Sequence, residues 1–394
     1  MINFVYYSPT KVIFGKDTEN EVGAEIRRLG FKKVLVHYGS ASAKKSGLLD
    51  RVLHSLRKHE LESVELGGVK PNPRLSKVRE GIALAKENRV DFILAVGGGS
   101  VIDSAKAIGY GVANPSVDVW DFYLDKAKAA ACLPIGSVLT IAAAGSETSN
   151  SSVITDEDGN HKRPYNDDLS RPKFAVMNPE LTYSLPTYQT MSGVVDILMH
   201  TVERYFTLDK KGELIDRMAE GLLKTVINNA YKLQANPNDY DARAEIMWAG
   251  SLSHNSLTGT GKTPDFASHQ LEHELSGMFD VAHGAGLSAL WPSWARYVYK
   301  KDMARFAQFA VRVMGCSMDF DDVEATALSG IAAFERFFRD IEMPVTIGEL
   351  GIPDITDAQI EEMVEKCSWN GGRTVGNFMK LDKDDMRRIY QMAR

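Results

Sequence analysis

The chain has 394 residues, enough for two ordinary domains, and its make-up of 44% hydrophobic and 25% charged residues excludes a disordered, collagen-like or coiled-coil protein. Lysine plus arginine number 46 against 52 for aspartate plus glutamate, a formal charge of -6 with no concentrated basic stretch, which argues against a nucleic-acid partner. The three cysteines, Cys132, Cys316 and Cys367, are too scattered for a disulfide framework or a compact thiolate metal site and fit a reducing compartment. The opening MINFVYYSPTKVIFG lacks a basic segment followed by a long apolar run, and the richest apolar windows fall short of the roughly 20 residues of a bilayer span. A cytoplasmic protein with no membrane partner is the expectation.

In chain order, FKKVLVH at 31–37 reads as a strand, and LLDRVLHSLRKH places Leu49, Val52, Leu53 and Leu56 at helical spacing. A second apolar run lies near Ser63 to Leu66, followed by a helix from 75 with Val78, Ile82 and Ala85 on one side. DFILAVGGGS then reads as a strand running into glycines, with a helix over Val101 to Tyr110. Strands alternating with helical crossovers imply a parallel α/β sheet. After PELTYSLP at 179–186 the texture changes, and segments 188–206, 214–234, 241–257, 264–277, 285–314, 321–339, 357–368 and 384–393 all read helical. TDAQ from Thr356 and DKDD from Asp382 resemble amino-terminal caps. The expected division is an α/β domain over 1–180 and an all-helical domain over 181–394.

Gly97, Gly98 and Gly99 follow a strand and open a helix, a geometry that aims backbone amides at a pyrophosphate, with Ser100 as a further donor. Neither GxGxxG nor a Walker lysine accompanies them, which sets the chain apart from a standard Rossmann module and a P-loop NTPase. Asp103 and Lys106 lie one turn apart on the ensuing helix, placed to order the loop or to meet a cofactor. Two loops of small residues, 37–47 and 139–149, also follow strands, the second offering Thr140, Ser146 and Thr148 as hydrogen-bonding groups. In the helical half, Asp196 and His200 are four apart, His269 and His273 repeat that spacing, and His283 returns after a turn. A divalent metal can collect an aspartate and histidines so arranged.

With these motifs in order, GGGSVIDSAK at 97–106, GSETS at 145–149, PELTYSLP, GVVDILMH, HQLEHELSG and HGAG, the chain resembles the iron-containing alcohol dehydrogenases, in the branch of NADPH-dependent butanol dehydrogenases and aldehyde reductases. The resemblance spans nearly the whole chain. It implies a Rossmann-like, dehydroquinate-synthase-like amino-terminal domain that binds the nicotinamide cofactor and a helical, metal-binding catalytic carboxyl-terminal domain. It further implies a homodimer acting on a small-molecule alcohol or aldehyde with NADP(H) and one Fe(II) or Zn(II). Carried over residue by residue, it makes Asp196, His200, His269 and His283 the metal ligands and His273 a noncoordinating catalytic histidine. Gly97, Gly98, Gly99 and Ser100 fall at the pyrophosphate, Thr140 and Lys162 near the cofactor, and Asp103 on its adenosine side. Three positions depart from the commoner family pattern: Ala144 for threonine, Asn178 for aspartate and Ser192 for alanine.

The loop after the first strand sharpens the cofactor expectation. Tyr38-Gly39-Ser40-Ala41-Ser42 has no carboxylate to hold a ribose 2′-hydroxyl, and the resemblance aligns Gly39, Ser40 and Ser42 with a phosphate-facing turn, so NADPH is expected over NADH. A glycerol-dehydrogenase-like or dehydroquinate-synthase-like activity, or a metal- and nucleotide-binding protein without turnover, are the alternatives.

Overall fold

The computed structural model describes residues 1–39 and 41–394; the expected phosphate contact Ser40 lies outside the described residues. The chain divides into two compact units, Tyr7–Ser184 and Leu185–Arg394, the latter joined by Met1–Tyr6. No sequence pattern announces that the first six residues belong with the second unit, where the Ile2 N–H donates to the Gly261 carbonyl at 3.0 Å.

The first unit runs β1 (Lys11–Phe14), α1 (Val22–Arg28), β2 (Lys33–Tyr38), α2 (Ser42–Lys45), α3 (Leu48–Lys58), β3 (Glu62–Leu66), α4 (Leu75–Glu87), β4 (Phe92–Gly97), α5 (Gly99–Ala113), α6 (Val119–Tyr123), β5 (Ile135–Leu139), β6 (Ser151–Asp156), β7 (His161–Asn166) and β8 (Phe174–Met177). Six strands form a sheet in the order β1-β8-β5-β4-β2-β3, every pairing parallel, while β6 and β7 make a separate antiparallel hairpin. The strands read as continuous apolar runs because both faces are covered: every residue of β4 and β5 is buried. Val34, Val36, Leu94, Val96 and Val138 pack against Val22, Ile26, Leu49, Val52 and Leu56 from α1 and α3. The chain steps outward from β2 to β3 on one side and from β4 to β5 on the other, so the topological switch point lies between β2 and β4.

The second unit is helical: α7 (Thr187–Tyr205), α8 (Glu213–Ala235), α9 (Tyr240–His254), α10 (Ala267–Phe279), α11 (His283–Val298), α12 (Met303–Arg312), α13 (Val323–Asp340), α14 (Asp357–Cys367) and α15 (Lys383–Ala393). The α/β and all-α division matches the expected fold class. One helix expected over 285–314 is two: α11 tightens into a turn at Tyr299–Lys301, and Asp302 caps α12 by accepting the Arg305 N–H at 3.3 Å. The caps read from TDAQ and DKDD are full capping boxes, Thr356 with Gln359 and Asp382 with Asp385. Phe206, Trp291, Trp294, Phe306 and Phe309 knit α7, α11 and α12 at ring distances of 4.3 to 6.3 Å. No helix among the described residues is long and apolar enough to cross a membrane.

Candidate metal centre and nucleotide cradle

Asp196 and His200 share one face of α7 because helical residues four apart stack, and His200 Nδ1 lies 3.4 Å from Asp196 Oδ1. From α10 comes His269 Nε2, and from the first residue of α11 His283 Nε2, each 3.8 Å from the same oxygen. Donors bonded at about 2.1 Å to one tetrahedral ion stand about 3.4 Å apart, so these separations match a slightly open ligand shell. Asp196 Oδ1, His200 Nδ1 and His269 Nε2 are buried without a hydrogen-bond partner. Three such atoms turned toward one another leave an unmet polar demand that a divalent cation meets. The residues fit the metal that the sequence implies.

Two glutamates that the sequence motifs did not single out complete the arrangement. Glu203, one turn beyond His200, accepts a hydrogen bond from Nδ1–H of His269, and Glu272 accepts one from Nδ1–H of His283. Each carboxylate thereby turns the Nε2 edge of its histidine toward Asp196. Glu203 is itself anchored, its Oε1 accepting the Ser268 and His269 N–H groups at 2.7 and 3.3 Å, while Ser276 Oγ donates to Glu272. Burial alone lowers the basicity of His269, but the carboxylates of Glu203 and Asp196 outweigh it and push the imidazole up to about 9. His200 is instead held well below its ordinary value by burial and by its neighbours His254 and His269, which keeps it a neutral donor. A sequence signal for Glu203 exists: Asp196, His200 and Glu203 follow the i, i+4, i+7 spacing of one helix face. Glu272 has no such signal, because its partner His283 lies beyond a turn on another helix.

His273 falls outside the Asp196, His200 and His269 group and clusters with Glu272 and His283, its ring 5.7 Å from that of His283. The HGAG glycines have a packing reason. A Cβ on Gly284 would overlap the Ser192 carbonyl oxygen of α7, and one on Gly286 would come within 2.7 Å of Glu272 Oε1. The close approach of α11 to α7 is what carries His283 to Asp196.

In the α/β unit, Gly39, Gly98 and Thr140 follow three adjacent strands at the carboxyl edge of the sheet, where Tyr38 pairs with Val96 and Gly97 with Leu139. Gly97 leaves room for Val101, a Cβ on Gly98 would lie 3.1 Å from Ile141, and one on Gly99 would lie 2.9 Å from Ala144. The glycines therefore let α5 and the 140–144 segment crowd together beneath the amino end of α5, which begins at Gly99 and includes Ser100. Asp103 is turned toward the following loop: its Oδ1 accepts from Ser146 Oγ at 2.5 Å and its Oδ2 from the Val153 N–H at 3.0 Å. Lys106, fully buried, donates to the carbonyls of Ser146, Ser149 and Ser151 at 2.7 to 3.0 Å. Burial pulls its ammonium down to about 8. Lys162 is buried on β7, Ser42 opens α2, and Lys44 Nζ sits 5.3 Å over the Tyr38 ring.

A parallel α/β unit with a glycine-lined switch point, coupled in sequence to a helical unit in which three histidines approach one aspartate, is compatible with a metal-dependent dehydrogenase. Residues 9–179 match the iron-containing alcohol dehydrogenase family, and residues 190–394 match the Fe-containing alcohol dehydrogenase family, C-terminal. The NADH-dependent butanol dehydrogenase A of Clostridium acetobutylicum is 37% identical, and the NADPH-dependent aldehyde reductase of Escherichia coli 35% identical, both over all of each chain. A crystal structure of NADH-dependent butanol dehydrogenase A from Thermotoga maritima superposes with a TM-score of 0.95 at 38% identity, covering 100% of this chain and 99% of that one. The chain belongs to the iron-containing alcohol dehydrogenase family and is a metal-dependent oxidoreductase of alcohols and aldehydes.

Proposed function

We propose that the protein interconverts primary alcohols and aldehydes with NADP(H), chiefly as an aldehyde reductase, using one Fe(II) or Zn(II) held by Asp196, His200, His269 and His283. The observation that carries this reading is the convergence of unpartnered buried donors on one point, two of the imidazoles aimed by glutamates. When bound, the cation supplies Lewis acidity toward the alcohol or aldehyde oxygen, and the nicotinamide gives or takes the hydride. The chain's own share is positioning. Gly97, Gly98, Gly99 and Ser100 present backbone amides to the pyrophosphate at the start of α5. Thr140 and Lys162 bind the nicotinamide side, and Asp103, through Ser146, holds the second cofactor loop in place on the adenosine side. His273, outside the ligand group, holds the exchangeable proton on a ring nitrogen and passes it to or from solvent.

The NADP(H) preference rests on the loop after β2. Gly39 to Gly47 carries no carboxylate to repel a 2′-phosphate, Ser42 donates from the start of α2, and Lys44 and Lys45 add positive potential. The names of relatives divide between NADH and NADPH, and the loop chemistry is what supports NADPH. The test is an anaerobic comparison of kcat/KM for both reduced cofactors at fixed aldehyde, with the alcohol product quantified. A higher value with NADPH supports the reading; preference for NADH removes the selectivity assignment, and absence of alcohol with either cofactor removes the activity. His273→Ala should keep its metal and lose on the order of 100-fold in kcat; metal loss in that folded variant would make His273 a ligand instead.

A further inference from the structure

His269 and His283 are each aimed by a carboxylate, but His200 turns Nδ1 toward Asp196 and is held by a different device. The ring of His254, the last residue of α9, lies against it with centroids 3.9 Å apart and planes tilted by 48°. Arg204, one turn after His200 on α7, joins the two. One arm of its guanidinium donates to the His200 carbonyl at 2.7 Å and the other to His254 Nδ1 at 3.2 Å. The guanidinium also lies 4.7 Å over the Phe266 ring, and its Cδ passes where a Cβ on Gly259 would come within 2.9 Å. Phe266 has φ 57°, a left-handed conformation costly for an aromatic residue, directly before the helix that carries His269. A buried arginine thus ties together the ends of three segments around one imidazole.

Resting on the assignment of His200 as a metal ligand, we propose that Arg204 and His254 form the positioning device for that ligand: the arginine clamps the His254 ring, and the ring fixes the orientation of His200. Neither residue touches the metal. A planar ring packed on one face of His200 restricts its χ2 rotation, which keeps Nδ1 directed at Asp196 when no outer carboxylate does so. The ring does the orienting, and the donor from Arg204 selects the nitrogen of His254 that accepts and so steadies the ring.

The test uses the full-length protein stripped of metal, then titrated with Co(II) for its d–d absorption bands and with Zn(II) against a chromophoric chelator. The parent is expected to bind one ion per chain. His254→Ala should weaken Zn(II) binding about tenfold and alter the Co(II) bands. His254→Phe, which restores a ring without the hydrogen bond, should recover binding to within about threefold of the parent. Parent-like affinity and bands in the alanine variant would overturn the proposal. So would a phenylalanine variant as weak as alanine, since the ring itself is held to do the work. A parent that binds no ion in this pocket removes the ligand assignment beneath the proposal, an outcome distinct from either. Circular dichroism of the metal-free variants separates loss of the ring from loss of the fold, and His254, only partly buried, is the milder place to cut.

Discussion

Glu203 and Glu272 show how much of the proposed centre lies beyond its direct ligands. Each is fully buried against an imidazole and aims its histidine. Glu272→Gln keeps the shape and removes the charge; metal affinity should drop ten- to hundredfold, read by chelator competition. Unchanged affinity would mean that the carboxylate serves packing alone. At this scale Asp196 and His200 were legible, since four-residue spacing puts them on one helix face whatever the tertiary fold. The pairing of Glu272 with His283 was not, because it depends on how α10 and α11 meet. Asp103 illustrates the converse: its sequence position is compatible with a cofactor contact, and the structure turns its carboxylate to Ser146 and Val153.

Between elements, small residues decide what the helices can bring together. Gly284→Ala must push α11 away from the Ser192 backbone, which cannot yield as a flexible side chain would, and His283 moves with it. The expected result is a destabilisation of about 1–3 kcal/mol together with weakened metal binding; a variant with parent-like melting and metal content would contradict the close contact. Lys106 plays the corresponding part in the α/β unit, gathering three carbonyls of the 146–151 loop. Lys106→Met leaves those acceptors buried and unmet, and should raise the dissociation constant for NADPH while metal binding stays at the parent level. Equal loss of both would show general unfolding instead. Strands and helices from 33 to 113 were readable because apolar runs and periodicity there agree with the turn residues. The break between α11 and α12 was not, because apolar spacing continues across it and only the Asp302 cap marks the stop. The β6–β7 hairpin likewise carries no strong alternation: β7 reads HKRPYN.

For the molecule as a whole, the two-part organisation was legible in the change of texture near 180, while the placement of Met1–Tyr6 with the helical unit needed the tertiary structure. The units also differ in what conditions should undo them. His37 is fully buried in the α/β unit, donating Nδ1–H to the Leu66 carbonyl and accepting from Ser104, and burial lowers it to about 4 from an ordinary 6.5. Above pH 6.5 it is neutral whether folded or unfolded and costs nothing. Between 6.5 and 4 only the unfolded chain takes the proton, so stability falls by about 1.4 kcal/mol per pH unit, roughly 3 kcal/mol in all. The difference in unfolding free energy between the parent and His37→Gln should shrink by that amount from pH 7 to pH 4; a constant difference would contradict the buried neutral histidine. Metal removal should instead lower the melting temperature of the helical unit, because the bound ion contributes its binding energy to that fold alone.

The central claim is that Asp196, His200, His269 and His283 hold one ion on which alcohol and aldehyde redox depends. It is tested most directly by titrating metal-free protein with Zn(II) or anaerobic Fe(II) while following NADPH oxidation and alcohol formation from a primary aldehyde. The account predicts that both rates rise together, one alcohol per NADPH, to a break at one ion per chain, and that His269→Ala shows neither the break nor the turnover. Metal-independent turnover in the parent, or full occupancy and activity in His269→Ala, would contradict it.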